Sequence, residues 1–335
     1  MIGPISQEDA VSVFCSLPPD QQIPSIHPDY VRVDSLRNSR LNPIFWLYSD
    51  STFTCLRSFH QVVTTLDSGQ VVKDIESAYG YGGVVCSSSD TTFRVKASQK
   101  FYSWAKEENI LVEFCRIHPI LIDQQDFFLE KTHNRDVVLL DLTSDFFSGY
   151  RKKRRWTIRK ELKKDIQVIC SKKSKERAWF RELYKDTMKR AGATDFYSFN
   201  DQYFDHLFEL DSVKLWLALY DGCPLSGAIL LESQVSGIVE YHLGAYFASS
   251  KDQPMETLLH LIALHYSQLN FKYFYLGGGR SADSDDSLLR FKMGFSKNIR
   301  SFDLGSNIFD MARYENLRLA TSEPDSPARI IFYRD

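Results

Sequence analysis

One order of hydrophobic patterns runs through this 335-residue chain twice, and it limits the possible folds more than any other feature. In the first half, IFWLYSD (44–50) and TFTCLRSFHQVVTT (52–65) alternate as the two arms of a hairpin. A glycine-rich turn follows, KDIESAYGYGGVVC (73–86). Thr92 to Asn109 then places Phe93, Ala97, Phe101, Trp104 and Ala105 at helical spacing. ILVEFCRIHPIL (110–121) and DVVLLDL (136–142) read as buried strands. The second half opens with a helix, Glu176 to Gly192, and a hairpin, VKLWLALYDGCPLSGAILLES (213–233), whose turn holds Asp221 and Gly222. The strand GIVEYHLGAYF (237–247), the helix Pro254 to Asn270 and the strand FKYFYLG (271–277) follow. RSFDLGS (300–306) and DMARYENLRLA (310–320) close the pattern as a strand and a helix. Such alternation predicts an α/β (α+β) protein whose mixed sheets are flanked by helices.

Length favours two domains, each large enough for its own core. The halves predict a first domain over 1–148, with an N-terminal helix (6–17) and a proline-rich lead, and a second over 149–335. The composition, 43% hydrophobic and 25% charged, excludes a disordered or collagen-like chain. The six cysteines are scattered, with no CxxC and no zinc spacing, so buried free thiols and no metal are expected. The N-terminus lacks a basic region, and no apolar run reaches 18 residues; a cytoplasmic protein is the expectation. A net charge of -2 favours neither nucleic acid nor membrane, so the distribution of charge matters more.

That distribution is uneven. Nine of the fourteen residues from Arg151 to Lys164 are Lys or Arg. Such density suits an anion: a diphosphate, a nucleic-acid backbone or lipid headgroups. Arg151, Arg154, Arg155 and Arg159 could make bidentate phosphate contacts, and Trp156 could stack on a base or sit at a lipid interface. The competing reading is a solvated helix face with Trp156 and Ile158 turned into the core. In ESAYGYGG (76–83), Tyr79 and Tyr81 alternate with glycines. Gly82 could let the backbone approach a ligand, or the segment could be a tight loop. LGGGRSADSDDS (276–287) is neither a Walker A loop nor an EF-hand, and its acids suit a helix cap. Lys292 lies among Leu288, Leu289, Phe291 and Phe295. It could stabilise an oxyanion, although a lysine snorkelling on a surface helix is the plainer reading of spacing alone. His242, His260 and His265 form no metal or triad pattern.

Taken together, ESAYGYGG, RWTIRKELKKDIQV, ELYKDTMKRAGATDFYSF, GAILLESQVSGIVEYHLGA and YLGGGRSADSDDSLLRFKMGF resemble the FemABX-like acyltransferases. The resemblance runs from about Pro43 to the C-terminal helix. It implies two GNAT-like domains in tandem, the first on the acceptor side and the second on the donor side. It also implies transfer of an acyl or aminoacyl group to an amine of a nucleotide- or lipid-linked cell-wall or surface-glycan precursor. By that resemblance Lys292 is the catalytic residue. Tyr79, Tyr81, Gly82, Arg155, Arg159, Lys160, Tyr241, Gly278, Arg280 and Phe291 bind substrate, with Arg159 and Lys160 nearest to a diphosphate. The donor stays open between acyl-CoA and aminoacyl-tRNA. The helical-hairpin insertion of some tRNA-dependent members is absent, and ASSKDQPMET (248–257) stands where a CoA pyrophosphate loop would be. The expected partners are a phosphate-bearing glycan or peptide precursor as acceptor, tRNA if it is the donor, and a membrane face met through 151–164. Two alternatives remain: an acyl-CoA-dependent N-acetyltransferase of a small amine or protein, and a non-catalytic module that binds anionic membrane or RNA.

Overall fold

Local rules set the ends of the first elements. Ser6 caps the first helix by accepting from the Asp9 amide at 3.1 Å, and Asp90 caps the third by accepting from the Phe93 amide at 2.7 Å. The computed structural model describes residues 1–122, 124–247, 254–283, 285–321 and 329–334. In chain order the elements begin with β1 (Ile2–Ile5), α1 (Gln7–Ser16), α2 (Pro28–Ser35), β2 (Asn42–Ser49), β3 (Thr54–Thr65), β4 (Val71–Glu76) and β5 (Val84–Cys86). Then come α3 (Thr91–Glu107), β6 (Ile110–Ile117), β7 (Glu130–Asp141), α4 (Phe146–Gly149), α5 (Lys152–Glu161), β8 (Ile166–Ser171) and α6 (Ser174–Arg190). After α7 (Asp201–Leu207) lie β9 (Val213–Tyr220), β10 (Cys223–Ser233), β11 (Ile238–Tyr246), α8 (Pro254–Gln268) and β12 (Tyr273–Gly278). The chain ends with α9 (Ser287–Lys292), β13 (Ile299–Ile308) and α10 (Met311–Thr321).

Contacts divide the chain into one unit of residues 1–134 and 302–335 and a second of residues 135–301. The boundary expected from sequence lies at 148/149, with the C-terminal segment in the second domain. The difference has a simple cause. β7 starts eighteen residues before the expected boundary, and β13 pairs antiparallel with β6, from Asp303↔Ile117 to Ile308↔Val112. That pairing returns the C-terminal segment to the first unit.

In the first unit β1 pairs β2, β2 pairs β3, and β3 pairs both β4 and β5, all antiparallel; β4 then runs parallel to β6. α3 lays Phe93, Ala97, Phe101 and Ala105 on this sheet against Trp46, Phe59 and Phe309. Two buried polar clusters sit within the unit. Arg57 forks onto Glu113 at 2.8 and 3.1 Å, and Asn307 donates to the same carboxylate at 2.6 Å. Asp74, wholly buried, pairs with Arg334.

In the second unit β7–β12–β11–β10–β9–β8 are neighbours in that order. β12 is antiparallel to β7 and parallel to β11; the remainder is antiparallel. The β9–β10 turn places Asp221 and Gly222 at φ +48° and +71°, the geometry of a two-residue hairpin, as the Asp-Gly pair predicts. One core holds Ile158 of α5 and Leu258, Leu259, Ile262 and Ala263 of α8 together with Trp216, Ala228, Leu230, Val239, Phe274 and Leu276 of the sheet. Phe180 and Phe204 of α6 and α7 are also buried, and Phe180 packs against Gly227 of β10 so closely that no Cβ would fit there.

Candidate active site

The site begins where a parallel pair ends. β11 and β12 are in register at Ile238↔Tyr273, Val239↔Phe274 and Glu240↔Tyr275, and then part. β11 continues against β10 to Tyr246, and β12 continues against β7 to Gly278. Both strands are irregular just past the parting. On β11 the register passes from Ile229↔Leu243 to Leu230↔Tyr241, so His242 is an extra residue, a β-bulge. On β12 the register slips between Tyr275 and Gly277, and Gly277 takes φ +74°, where a side chain would be strained.

Tyr241 is the first β11 residue beyond the last parallel pair. Its hydroxyl lies over Gly244, where a Cβ would collide with it, and it approaches the Met255 sulfur at 3.8 Å. Burial pushes the phenol above its ordinary value, so it is a neutral donor at physiological pH. His242 leaves the strand separately and lies 2.7 Å from the Tyr203 hydroxyl.

Lys292 ends α9 and is 6% exposed. Its Nζ donates to the Gly278 carbonyl at 2.7 Å and stands 5.5 Å from the Tyr241 ring. Burial draws the ammonium down from 10.5 to about 7; Asp286 opposes that shift and Arg135 adds to it. The surface-lysine reading is therefore overturned. Helical spacing contained the signal: Lys292 stands three residues after Leu289 and three before Phe295, both buried.

Two residues outside the expected set complete the surroundings. Arg135 donates from Nη1 to the Gly279 carbonyl at 2.9 Å, so consecutive carbonyls each receive a cation. Asp286 gathers the glycine turn onto the helix start. Its carboxylate accepts from the amides of Leu288 and Leu289 at 2.9 Å and of Arg280 at 3.1 Å. Burial works to raise this carboxyl, but the backbone donors outweigh it and hold it below the usual range. Gly279 must lack a side chain because Asp286 occupies that space. The acidic run thus supplied a helix cap, as its composition suggested. Nothing in HNRDVV marks Arg135 in advance.

The remaining expected residues fall in different places. Gly278 and Phe291 belong to the Lys292 cluster; Arg280 is exposed, with its amide held by Asp286. Phe291 links to the basic strip through Arg154, which donates to the Phe291 carbonyl at 2.8 Å and stacks 4.5 Å from both the Phe291 and Phe295 rings. Arg154 is buried and ion-paired with Glu256 of α8. It is committed to packing, which corrects its place among the phosphate-seeking arginines. Arg155 is half-buried and donates to the Ser148 carbonyl at 2.8 Å, while Arg159 and Lys160 are exposed. Ile158 is buried as one reading required, but Trp156 is 63% exposed.

Tyr79, Tyr81 and Gly82 lie in the first unit. The Tyr79 amide donates to Asp34 at 2.8 Å, and its carbonyl accepts from the Tyr30 hydroxyl at 2.8 Å. Tyr81 meets His118 and Phe302 edge-on, each at 5.2 Å. Gly82 does not open the backbone to a ligand. It bridges to Ile117 in parallel fashion, donates to the Arg116 carbonyl at 2.7 Å, and would set a Cβ 2.6 Å from that of Ser77. Of the other histidines, His260 packs on Phe147 at 4.8 Å, with burial lowering it to about 4, and His265 packs on Trp216 at 4.9 Å. The segment expected to lack a CoA pyrophosphate loop lies largely outside the described residues. Among the described residues no group of His, Cys, Asp and Glu could hold a metal, and no helix is long and apolar enough to cross a membrane.

A parallel strand pair that parts, with a helix crossing from one strand to the other, is the arrangement at the centre of the GNAT fold. Residues 148–293 match the acetyltransferase (GNAT) domain family, and that span lies within the second unit. FemX superposes with a TM-score of 0.71 at 13% identity, covering 93% of this chain and 98% of FemX. The C-terminal domain of a candidate lysylphosphatidylglycerol synthetase from Agrobacterium fabrum gives 0.60 at 13% identity, covering 94% and 95%. A conserved protein of unknown function from Bacteroides thetaiotaomicron gives 0.60 at 12%, covering 91% and 99%. No curated protein matches the sequence.

Proposed function

We propose that this acyltransferase transfers an acyl or aminoacyl group to an amino group of a phosphate-bearing glycan or peptide precursor, at the cytoplasmic side of the membrane. The observation that carries the reading is Lys292, a buried cation at the parting of β11 and β12. The acceptor amine attacks the acyl carbon and forms the C–N bond. The carbonyl electrons move to oxygen, where the Lys292 ammonium lowers their energy. As the intermediate collapses, the bond to the donor's sulfur or ribose oxygen breaks, and the amine proton leaves with that group. Tyr241 and the Gly278 backbone line the acyl side in this reading. Exposed Arg159 and Lys160 meet the acceptor phosphates, with Arg155 beside them. The resemblance of the sequence motifs to the FemABX-like acyltransferases supports a precursor acceptor. The donor is a CoA thioester or an aminoacyl-tRNA ester.

The test is to incubate the protein with acyl-CoA, and separately with charged tRNA, in the presence of a nucleotide-linked amino sugar or peptide, and to detect amide by mass. Ribonuclease sensitivity assigns the donor. Lys292→Met is expected to lower kcat by roughly 100- to 1000-fold while leaving circular dichroism unchanged. Near-normal turnover in that variant refutes the role of Lys292, and product with neither donor refutes the reaction.

A further inference from the structure

The exposed face of α5 carries more cations than the core or the transfer chemistry uses, and an indole that neither explains. Arg154, Thr157, Ile158 and Glu161 turn inward and are buried. Trp156 stands at the middle of the opposite face, 63% exposed. Three and four residues to either side are Lys152, Lys153, Arg159 and Lys160, all exposed, and Lys163 continues the face beyond the helix. The Lys160 ammonium lies 5.5 Å from the indole ring. Leu162, the C-cap of the helix, is 47% exposed. Glu161 is buried and bonded to Lys164, so the first exposed acid after this face is Asp165. In a chain of net charge -2, so concentrated a cationic face around one exposed indole is not an average surface.

We infer that this face of α5 docks on a bilayer surface rich in anionic phospholipid, with Trp156 entering the headgroup region. The charge is complementary to such a surface and to no feature of its own face. An indole favours the boundary between headgroups and acyl chains, and lysine stems cover apolar surface while their ammonium groups stay in water. An indole ringed mainly by lysine suits the headgroup boundary, whereas single-stranded RNA is bound on several stacked aromatics. Lysines outnumber arginine on the face, which suits point charges against a diffuse anionic layer better than bidentate recognition of single phosphates. This inference goes beyond the transfer reaction and does not depend on it.

The full chain is mixed with phosphatidylcholine vesicles, with and without phosphatidylglycerol, and sedimented. Binding is expected to the anionic vesicles alone and to weaken with salt. Brominated lipid is expected to quench tryptophan emission. The Trp156→Phe variant is expected to bind still but to lose most of that quenching, because Trp46 and Trp216 are buried and Trp104 and Trp179 half-buried. The Lys152→Gln/Lys153→Gln double variant is expected to bind about 30-fold more weakly, while its turnover of a soluble acceptor is unchanged. Equal binding to neutral vesicles overturns the inference. So does binding that leaves Trp156 unquenched, or failure to bind anionic vesicles while tRNA binding is lost in the double variant.

Discussion

Lys292 is set between two opposing charges, which makes its environment testable. Asp286 favours its ammonium and Arg135 disfavours it, on top of a burial term that brings it to about 7. If the cation carries the oxyanion, kcat falls above pH 7, about tenfold per pH unit once past the limb. Asp286→Asn removes the favourable charge and retains a good helix cap, so the limb moves to lower pH. Arg135→Gln removes the unfavourable charge, so the limb moves to higher pH. Shifts in the same direction in both variants, read from kcat–pH profiles, contradict this assignment. The same lysine bears on stability. Between pH 7 and 10.5 the unfolded chain holds the proton and the folded chain does not, so the lysine's destabilising effect shrinks as pH rises through that window. Each unit of the difference is about 1.4 kcal/mol. Lys292→Met, which also loses the bond to Gly278, is expected to raise stability to urea by roughly 2 kcal/mol at pH 7, with no gain near pH 10. A gain independent of pH contradicts the linkage.

Among the elements, α5 divides its cations between two tasks, and sequence could not assign them individually. Arg154 and Arg155 are adjacent, yet one is buried against Phe291 and Glu256 and the other bonds a backbone carbonyl near the surface. Replacing Arg154 with Leu strands the largely buried Glu256 carboxylate and is expected to cost about 3–5 kcal/mol in urea unfolding. Removing Glu256 as well, by Glu256→Leu, is expected to restore most of that loss. No recovery in the double variant means the guanidinium acts through its aromatic stacking instead. Strands such as β9 and β10 were legible because an Asp-Gly turn and long apolar runs agree. The helices α3 and α8 were legible from periodicity. α2 was hidden inside a proline-rich lead, where Pro28 begins a helix instead of extending the chain. β8 and α7 are short and mixed in polarity, and tertiary packing decides them. At the site, the glycine turn at Gly277 could be read locally, whereas Lys292 stood out through the family resemblance, its spacing alone favouring a surface lysine. Arg135 and Asp286 could not be assigned from sequence, because their roles depend on carbonyls and charges that only folding brings near.

At the scale of the whole molecule, the two units carry the same device in different states. Each has a parallel strand pair joined through a helix: β4 and β6 with α3, and β11 and β12 with α8. In the first unit the parallel pairing runs to Glu76↔Phe114 and resumes at Gly82↔Ile117, so the strands stay together. Arg57 and Glu113 fill the adjoining interior, and the void left beside them is about 10 Å³, room for about one water. In the second unit the pairing stops at Glu240↔Tyr275, and Lys292 occupies the parting. In the proposed scheme this contrast gives the chemistry to the second unit. Hydrogen exchange with the hydrolysis-resistant form of each donor tests that division. The donor that reacts is expected to slow exchange in β11 beyond Glu240, in the glycine turn and in α9, with β4 and β6 unchanged. Protection centred on β4, β6 and the Tyr79–Gly82 loop reverses the roles of the two units. It would also leave the low pKa of Lys292 without a catalytic reason.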